Sequence, residues 1–328
     1  VDQDPAISFE DFMQRALHDP RGGYYARNIR GVGGRADFTT VPMVSHSLAR
    51  AIASWAIAAM RESGCRNLIE IGPGEGLLAA GVLANLPWLI RRRTALHLVE
   101  RSAPLIEKQR AQLGERCQWH DSLGAALQAC GGSGIIYSNE VVDAFPVRLF
   151  EKCPEGWREI GLRRGSLGRY VEAQLPLASL PPSSHFEREF AHGQRVEVHA
   201  SYRSWLGDWM PLWKAGRMLT IDYGATVDQL YQRQPNGSLR AYWFHQRLTG
   251  EAIYQNPGHQ DITADVNFTD LIRWSEPWTH SSKLMPLAEF LHGFASPDDP
   301  IDRALLDPNG AGNAFLVLDQ RARGSSDG

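Results

Sequence analysis

The segment LIEIGPGEG, Leu68 to Gly76, constrains this chain more than any other. An apolar run broken only by Glu70 stops at three glycines spaced G-x-G-x-G, Gly72, Gly74 and Gly76, and an apolar periodic stretch from Leu77 to Leu86 follows. A buried strand, a tight turn and a helix in that order form the opening unit of a nucleotide-binding α/β sheet. Glycine lets the backbone of such a turn approach a ligand with no Cβ in the way.

The spacing narrows the ligand. A dinucleotide fingerprint, G-x-G-x-x-G, sets its third glycine one residue later and aims backbone N–H groups at a pyrophosphate. Here Pro73 removes one N–H from the turn, and Glu75 places negative charge at the helix start. Both features disfavour a pyrophosphate and favour a nucleoside without phosphates. The next strand, Leu96 to Val99, ends in Glu100, where an acid accepts both ribose hydroxyls. Glu70, just before the glycines, suits a cationic amino-acid end. A ribose, no phosphate and an α-amino acid combine in S-adenosylmethionine, so these residues point to that cofactor over NAD.

The rest of the chain fits an enzyme of this kind. Its 328 residues suffice for one large α/β domain with an insertion or a small second lobe, and a net charge of −3 gives no nucleic-acid footprint. Cys65, Cys117, Cys130 and Cys153 lack C-x-x-C spacing and read as thiols in a reducing compartment. No apolar run reaches membrane-spanning length, so neither nucleic acid nor membrane is expected as a partner. With no signal peptide visible, a bacterial cytoplasm is expected, or a mitochondrial matrix if a leader was removed.

Along the chain, Ser8 caps a helix with Asp11 in capping-box position, and a second helix is expected from about Ser45 to Arg61. These two make residues 1–61 an N-terminal helical lid segment. Strands at 68–71, 95–99, 116–119 and 134–138 alternate with helices at 77–86, 102–113 and 122–129, which implies a parallel sheet with right-handed crossovers. Short antiparallel strands at 147–152, 157–162 and 168–172 mark a β-rich insertion of about 147–195 within a core of 62–320, and 321–328 reads as a disordered tail. Trp205, Trp209 and Trp213, at four-residue spacing, read as a core stripe.

Eight separated blocks resemble the MidA-like class I methyltransferases: HDPRGGYYAR (18–27), ADFTTVPMVS (36–45), LIEIGPGEG (68–76), LHLVERS (96–102), SNEVVDAFPV (138–147), LTIDYG (219–224), LRAYWFH (239–245) and PGHQDITADVNF (257–268). That family includes a mitochondrial complex I assembly factor that methylates a protein arginine. The resemblance implies a Rossmann-like, seven-stranded, mainly parallel sheet. It implies S-adenosyl-L-methionine as cofactor, S-adenosyl-L-homocysteine as product, and Glu70, Gly72, Gly74 and Glu100 as cofactor contacts. The chain departs from the family where Met43 and His259 stand in place of acids, which makes the acceptor region less negative.

The strand ends supply the remaining candidates. Asn139, Glu140 and Asp143 follow the fourth strand, at the crevice where ligands bind in open α/β sheets, with a helix cap as the alternative role for the two acids. Asn139 is expected at the cofactor, and Glu140 and Asp143 as carboxylates that orient an acceptor and take its proton. Tyr223 ends the strand LTIDYG, and His259 sits in a loop; both are expected at the acceptor, and Glu140, Asp143, Tyr223 and His259 form the expected catalytic set. Arg101 and Asp121 are expected near the cofactor, Asp121 at the adenine edge, with Ser122 beside it as a helix cap. Asp37 and Thr39, in the loop Gly33 to Thr40, are expected to close on its methionine end. The spacing of His245, His259 and Asp261 matches no standard metal site. The acceptor is a protein side chain, with arginine favoured by the resemblance, or a small metabolite. A non-catalytic assembly factor that keeps the fold is the contrasting class.

Overall fold

The strand Asn67–Ile71 (β1) is buried along its last four residues, because a parallel strand covered on both faces must be apolar throughout. In the computed structural model, residues 5–28, 46–165, 168–232, 234–244, 246–307 and 311–324 are described. They fall into two units. One comprises 31–141, 206–223 and 272–328; the other comprises 1–30, 142–205 and 224–271.

The first unit holds the central sheet. Its strands are β1, Ala95–Val99 (β2), Cys117–His120 (β3), Ile135–Asn139 (β4), Arg217–Ala225 (β5), Thr279–Pro286 (β6) and Phe315–Ala322 (β7), in the order β6-β7-β5-β4-β1-β2-β3. Pairings from β5 through β3 are parallel, and β7 runs antiparallel between β5 and β6. These seven strands have the mainly parallel arrangement that the resemblance implies, and Val266–Asn267 adds a short parallel pairing to the end of β5. The helices His46–Ser63 (α1), Leu77–Asn85 (α2), Trp88–Arg93 (α3), Ala103–Leu113 (α4) and Leu123–Ala129 (α5) connect or flank these strands. Leu48, Ile52, Ala56 and Met60 of α1 are buried in one cluster with Leu68, Leu96, Tyr137 and Leu219 of the sheet. The N-terminal helical segment is therefore shared between the units: α1 is counted with the sheet and Phe9–His18 with the other unit.

In the second unit, Ser8 caps Phe9–His18 by accepting the Asp11 N–H at 2.9 Å. Strands Arg148–Cys153, Gly156–Arg164, Tyr170–Leu175 and Arg195–Val198 form an antiparallel sheet with Ile7–Ser8. A smaller sheet joins Arg240–Trp243 to Gln246–Leu248 and Asp261–Thr263. The tryptophan stripe divides: Trp209 and Trp213 are buried with ring centroids 6.2 Å apart, while Trp205 lies 5.3 Å from Phe145.

Candidate active site

The glycine turn lies at the C-terminal end of β1. Gly72, Gly74 and Gly76 have φ of 61°, 55° and 84°, a region that side chains with a Cβ rarely adopt. Gly72 is doubly restricted, because a Cβ there would lie 2.8 Å from Val141 Cγ2. Left-handed backbone and overpacking each cost about 1–3 kcal/mol, so Gly72→Ala should destabilise the fold by about 2–4 kcal/mol. Urea unfolding measures this; a loss below about 1 kcal/mol would mean that the turn relaxes freely.

Behind the turn a buried glutamine acts as a clasp. Gln109 of α4 is fully buried, donates to the Gly74 carbonyl at 2.7 Å, and accepts from Trp119 Nε1 at 2.8 Å. Its amide also reaches Glu100 Oε2 at 3.5 Å. No pattern in the sequence marks Gln109, since its role comes from contacts across 35 residues of chain. Glu100 ends β2, where Oε1 accepts the N–H groups of Arg101 and Ser102, each at 2.8 Å. Burial holds its carboxyl above the usual carboxylate range, and these N–H groups offset only part of that rise. Among the described residues Oε2 carries only the long contact to Gln109, which suits it to further donors such as ribose hydroxyls.

Arg101 is exposed, and its Nε donates to the Asp121 carbonyl at 2.9 Å. The Asp121 side chain is exposed at the end of β3, and Ser122 caps α5 by accepting the Ala125 N–H at 3.2 Å. Glu75 at the helix start is paired with Lys108 at 2.7 Å.

Glu70, expected beside a cationic ligand end, is enclosed by protein. Its side chain is 3% exposed inside the sheet, and Tyr137 donates to it at 2.8 Å. Burial pushes its carboxyl up to about 8, so it is neutral at pH 7. Glu70 pairs in register with Tyr137 on the neighbouring strand, and side chains opposite one another leave the sheet on the same face.

The ends of β4 and β5 form the second part of the site. Glu140 has a left-handed backbone, φ 54°, one of two non-glycine residues with positive φ among those described. Its N–H donates to the Ile221 carbonyl at 2.9 Å, and Asn139 Nδ2 donates to its Oε1 at 2.9 Å. Asn139 Oδ1 is buried with no hydrogen-bond partner among the described residues. Asp222, fully buried, accepts the Val141 N–H at 3.1 Å and the Tyr223 N–H at 2.9 Å, which fixes the turn that carries Glu140. No helix follows Glu140, so it caps none. The Tyr223 ring packs against Phe315 with centroids 3.8 Å apart and the ring planes tilted by 36°.

Of the expected catalytic set, Glu140 and Tyr223 belong to the sheet unit, and Asp143 and His259 to the other. Asp143 is buried, and its carbonyl accepts the Ala264 N–H at 3.0 Å. His259 is exposed, with its N–H on the Asn256 carbonyl at 3.1 Å. Four of the resemblance blocks meet within this second unit. Tyr25 donates to Asp261 Oδ1 at 2.7 Å, and Arg240 pairs with Asp265. Burial pushes Asp261 up to about 6, and Asp143 adds its charge to those acting on Tyr25 and Arg240. Gly258 packs so closely on Gly22 that a Cβ would lie 2.3 Å from the Gly22 carbonyl oxygen. Tyr25, Arg240, Asp261 and Asp265 are absent from the expected set, and only their places inside the motif blocks mark them. Asp37, Thr39, Met43 and His245 lie outside the described residues.

The glycine cradle, the open side of Glu100 and the orphaned Asn139 acceptor fit S-adenosyl-L-methionine. Comparison with known proteins agrees. The mitochondrial protein arginine methyltransferase NDUFAF7 of Danio rerio is 28% identical over 299 residues, 81% of this chain and 67% of that protein. Its Mus musculus counterpart is 26% identical over 306 residues, 82% of this chain and 66% of that protein. The chain thus spans about two thirds of the length of these relatives. A Burkholderia thailandensis crystal structure bound to S-adenosyl-homocysteine superposes with a TM-score of 0.82 at 28% identity, covering 96% of this chain and 88% of that one. The family profile described as "Putative S-adenosyl-L-methionine-dependent methyltransferase" matches residues 51–283, well over half of the sequence, and the chain therefore belongs to this family of S-adenosyl-L-methionine-dependent methyltransferases.

Proposed function

We propose that this protein methylates the side chain of a protein arginine. The observation that carries the reading is Glu140, a carboxylate held in left-handed backbone at the crevice edge of β4. The relatives named as protein arginine methyltransferases support the choice of acceptor.

S-adenosyl-L-methionine supplies, when bound, a methyl group made electrophilic by a sulfonium. The residues that would hold it are Gly72 and Gly74 through the turn, Glu100 through the ribose hydroxyls, and Asn139 through its free oxygen. Glu140 would orient a guanidinium by charge-assisted hydrogen bonding and accept the proton that the nitrogen loses. Asp222 acts through the backbone, since both of its oxygens hold N–H groups of the two strand ends. Tyr223, packed on Phe315, presents a rigid wall beside them.

Glu100→Ala should weaken cofactor binding at least tenfold, because hydrogen bonds to a charged group contribute about 1.5–3 kcal/mol each. Titration calorimetry with S-adenosylhomocysteine measures this, and an unchanged Kd refutes the ribose role. NAD is expected to give no heat in the same cell.

The acceptor is tested with labelled S-adenosylmethionine, arginine-containing peptides and a small-molecule extract as separate arms. Mass spectrometry should find the label on arginine. A second reading, a small-metabolite acceptor, is favoured by Met43 and His259 where relatives of the resembled family carry acids. Label found only in the small-molecule arm would establish that reading. Cofactor binding with no S-adenosylhomocysteine formed in any arm would make the protein a non-catalytic assembly factor.

A further inference from the structure

The short helix α3 leaves unusual side chains in solvent. Trp88 is 56% and Leu89 61% exposed, adjacent in sequence and followed by Arg91, Arg92 and Arg93. None of these six helix residues is fully buried, and only Ile90 packs against the core. Both ends of the helix are closed by hydrogen bonds of its own. The Arg91 N–H donates to the Pro87 carbonyl at 2.9 Å, and Thr94 Oγ1 donates to the Ile90 carbonyl at 2.9 Å. The Arg92 guanidinium lies over the Trp88 ring, 4.9 Å from its centroid. From Leu77 to Val99 the chain has no aspartate or glutamate, so nothing in this stretch offsets the three arginines.

The geometry points to α3 as a docking site for the surface of an anionic lipid bilayer. Two protruding apolar side chains cover far less than the roughly 800 Å² per partner that a specific protein interface needs. A bilayer needs no matching surface. Trp and Leu enter the headgroup region as a small wedge, with the indole at a depth that suits its amphipathic ring. The arginines then reach lipid phosphates, each strengthening the attraction to an anionic leaflet. The cation–π pair lets Arg92 accompany the indole into that region.

The position in the fold agrees. Helix α2 leaves the C-terminal end of β1 and returns to the opposite edge of the sheet, and α3 leads into the start of β2 at Ala95. Glu100, Glu140 and Asp222 lie at the C-terminal edge, so docking through α3 leaves that edge open to substrate. Among the described residues no helix is long and apolar enough to cross a membrane. A surface-bound wedge leaves no such signal, which is why the sequence alone pointed away from membranes.

Co-sedimentation with vesicles of phosphatidylcholine, with and without phosphatidylglycerol, tests this on the full chain. Wild-type protein should sediment with the anionic vesicles at low salt, release at high salt, and ignore phosphatidylcholine alone. The triple variant R91Q/R92Q/R93Q should partition roughly a hundredfold more weakly. Brominated acyl chains should quench tryptophan emission in the wild type and much less in Trp88→Phe. These exposed substitutions should leave the melting curve unchanged. No sedimentation of the wild type with anionic vesicles overturns the proposal without recourse to any variant. Binding to soluble polyglutamate in place of vesicles would assign the patch to an acidic protein partner. A dimer in solution that W88A/L89A abolishes, with no vesicle binding, would assign it to self-association.

Discussion

Glu140→Gln should slow methyl transfer about a hundredfold, the scale of losing a positioned acid or base, and leave cofactor affinity unchanged. The substitution keeps the shape of the site. Glutamine retains the oxygen that accepts from Asn139 Nδ2, and the backbone bond from the Glu140 N–H to the Ile221 carbonyl is untouched. What it removes is a negative charge at a residue whose backbone, at φ 54°, costs about 1–2 kcal/mol relative to right-handed alternatives. Glycine would fill this position without that cost, so a carboxylate held there against backbone preference points to chemistry. Single-turnover kinetics with saturating S-adenosylmethionine separates the steps. An unchanged rate would reduce Glu140 to a turn residue. Equal losses in rate and cofactor affinity would move its role from the acceptor to the cofactor.

The parallel core was legible because its signals are local. Apolar runs at Leu68–Ile71 and Leu96–Val99, each followed by a helical period, place β1 and β2 within a residue of their ends. Ser8 and Ser122 announce helix starts by residue type alone. The parts that were not legible lack such a pattern. Strand β6, THSSKLMP, is an edge strand with four consecutive exposed residues, so no alternation shows in it. Helix α3 spans six residues, too few for a period to appear. Within the site, Glu100 and Glu140 could be found by strand-end logic. Gln109 and the Tyr25–Asp261 pair depend on contacts between distant segments, the latter across 236 residues. Glu70 differs again: the motif located the residue, but its pairing with Tyr137 follows from the register of two strands far apart in sequence.

That burial gives Glu70 a thermodynamic signature. Its carboxyl sits at about 8 in the fold against about 4.5 in an unfolded chain. The folded state therefore holds a proton that the unfolded state gives up, and stability falls as pH rises through this window. The contribution is complete below about pH 4.5 and declines by at most about 1.4 kcal/mol per pH unit, to a ceiling of about 5 kcal/mol near pH 8. Buried neutral imidazoles act in the opposite sense. His97, held down at about 4, and His185 and His199, at about 3, keep their contribution above pH 6.5 and lose it as pH falls toward those values. Glu70→Gln isolates the carboxyl from these other groups. The amide oxygen can still accept from Tyr137, and no proton is left to lose. Urea unfolding from pH 5 to pH 8 should show wild-type stability falling relative to the variant, with a difference of about 2–4 kcal/mol across the window. Parallel curves would show that Glu70 titrates alike in both states. The same variant bears on the cofactor: if Glu70 stays neutral behind the glycine turn, S-adenosylhomocysteine affinity should be nearly unchanged. A tenfold or larger loss would mean that binding ionises this carboxyl and uses its charge.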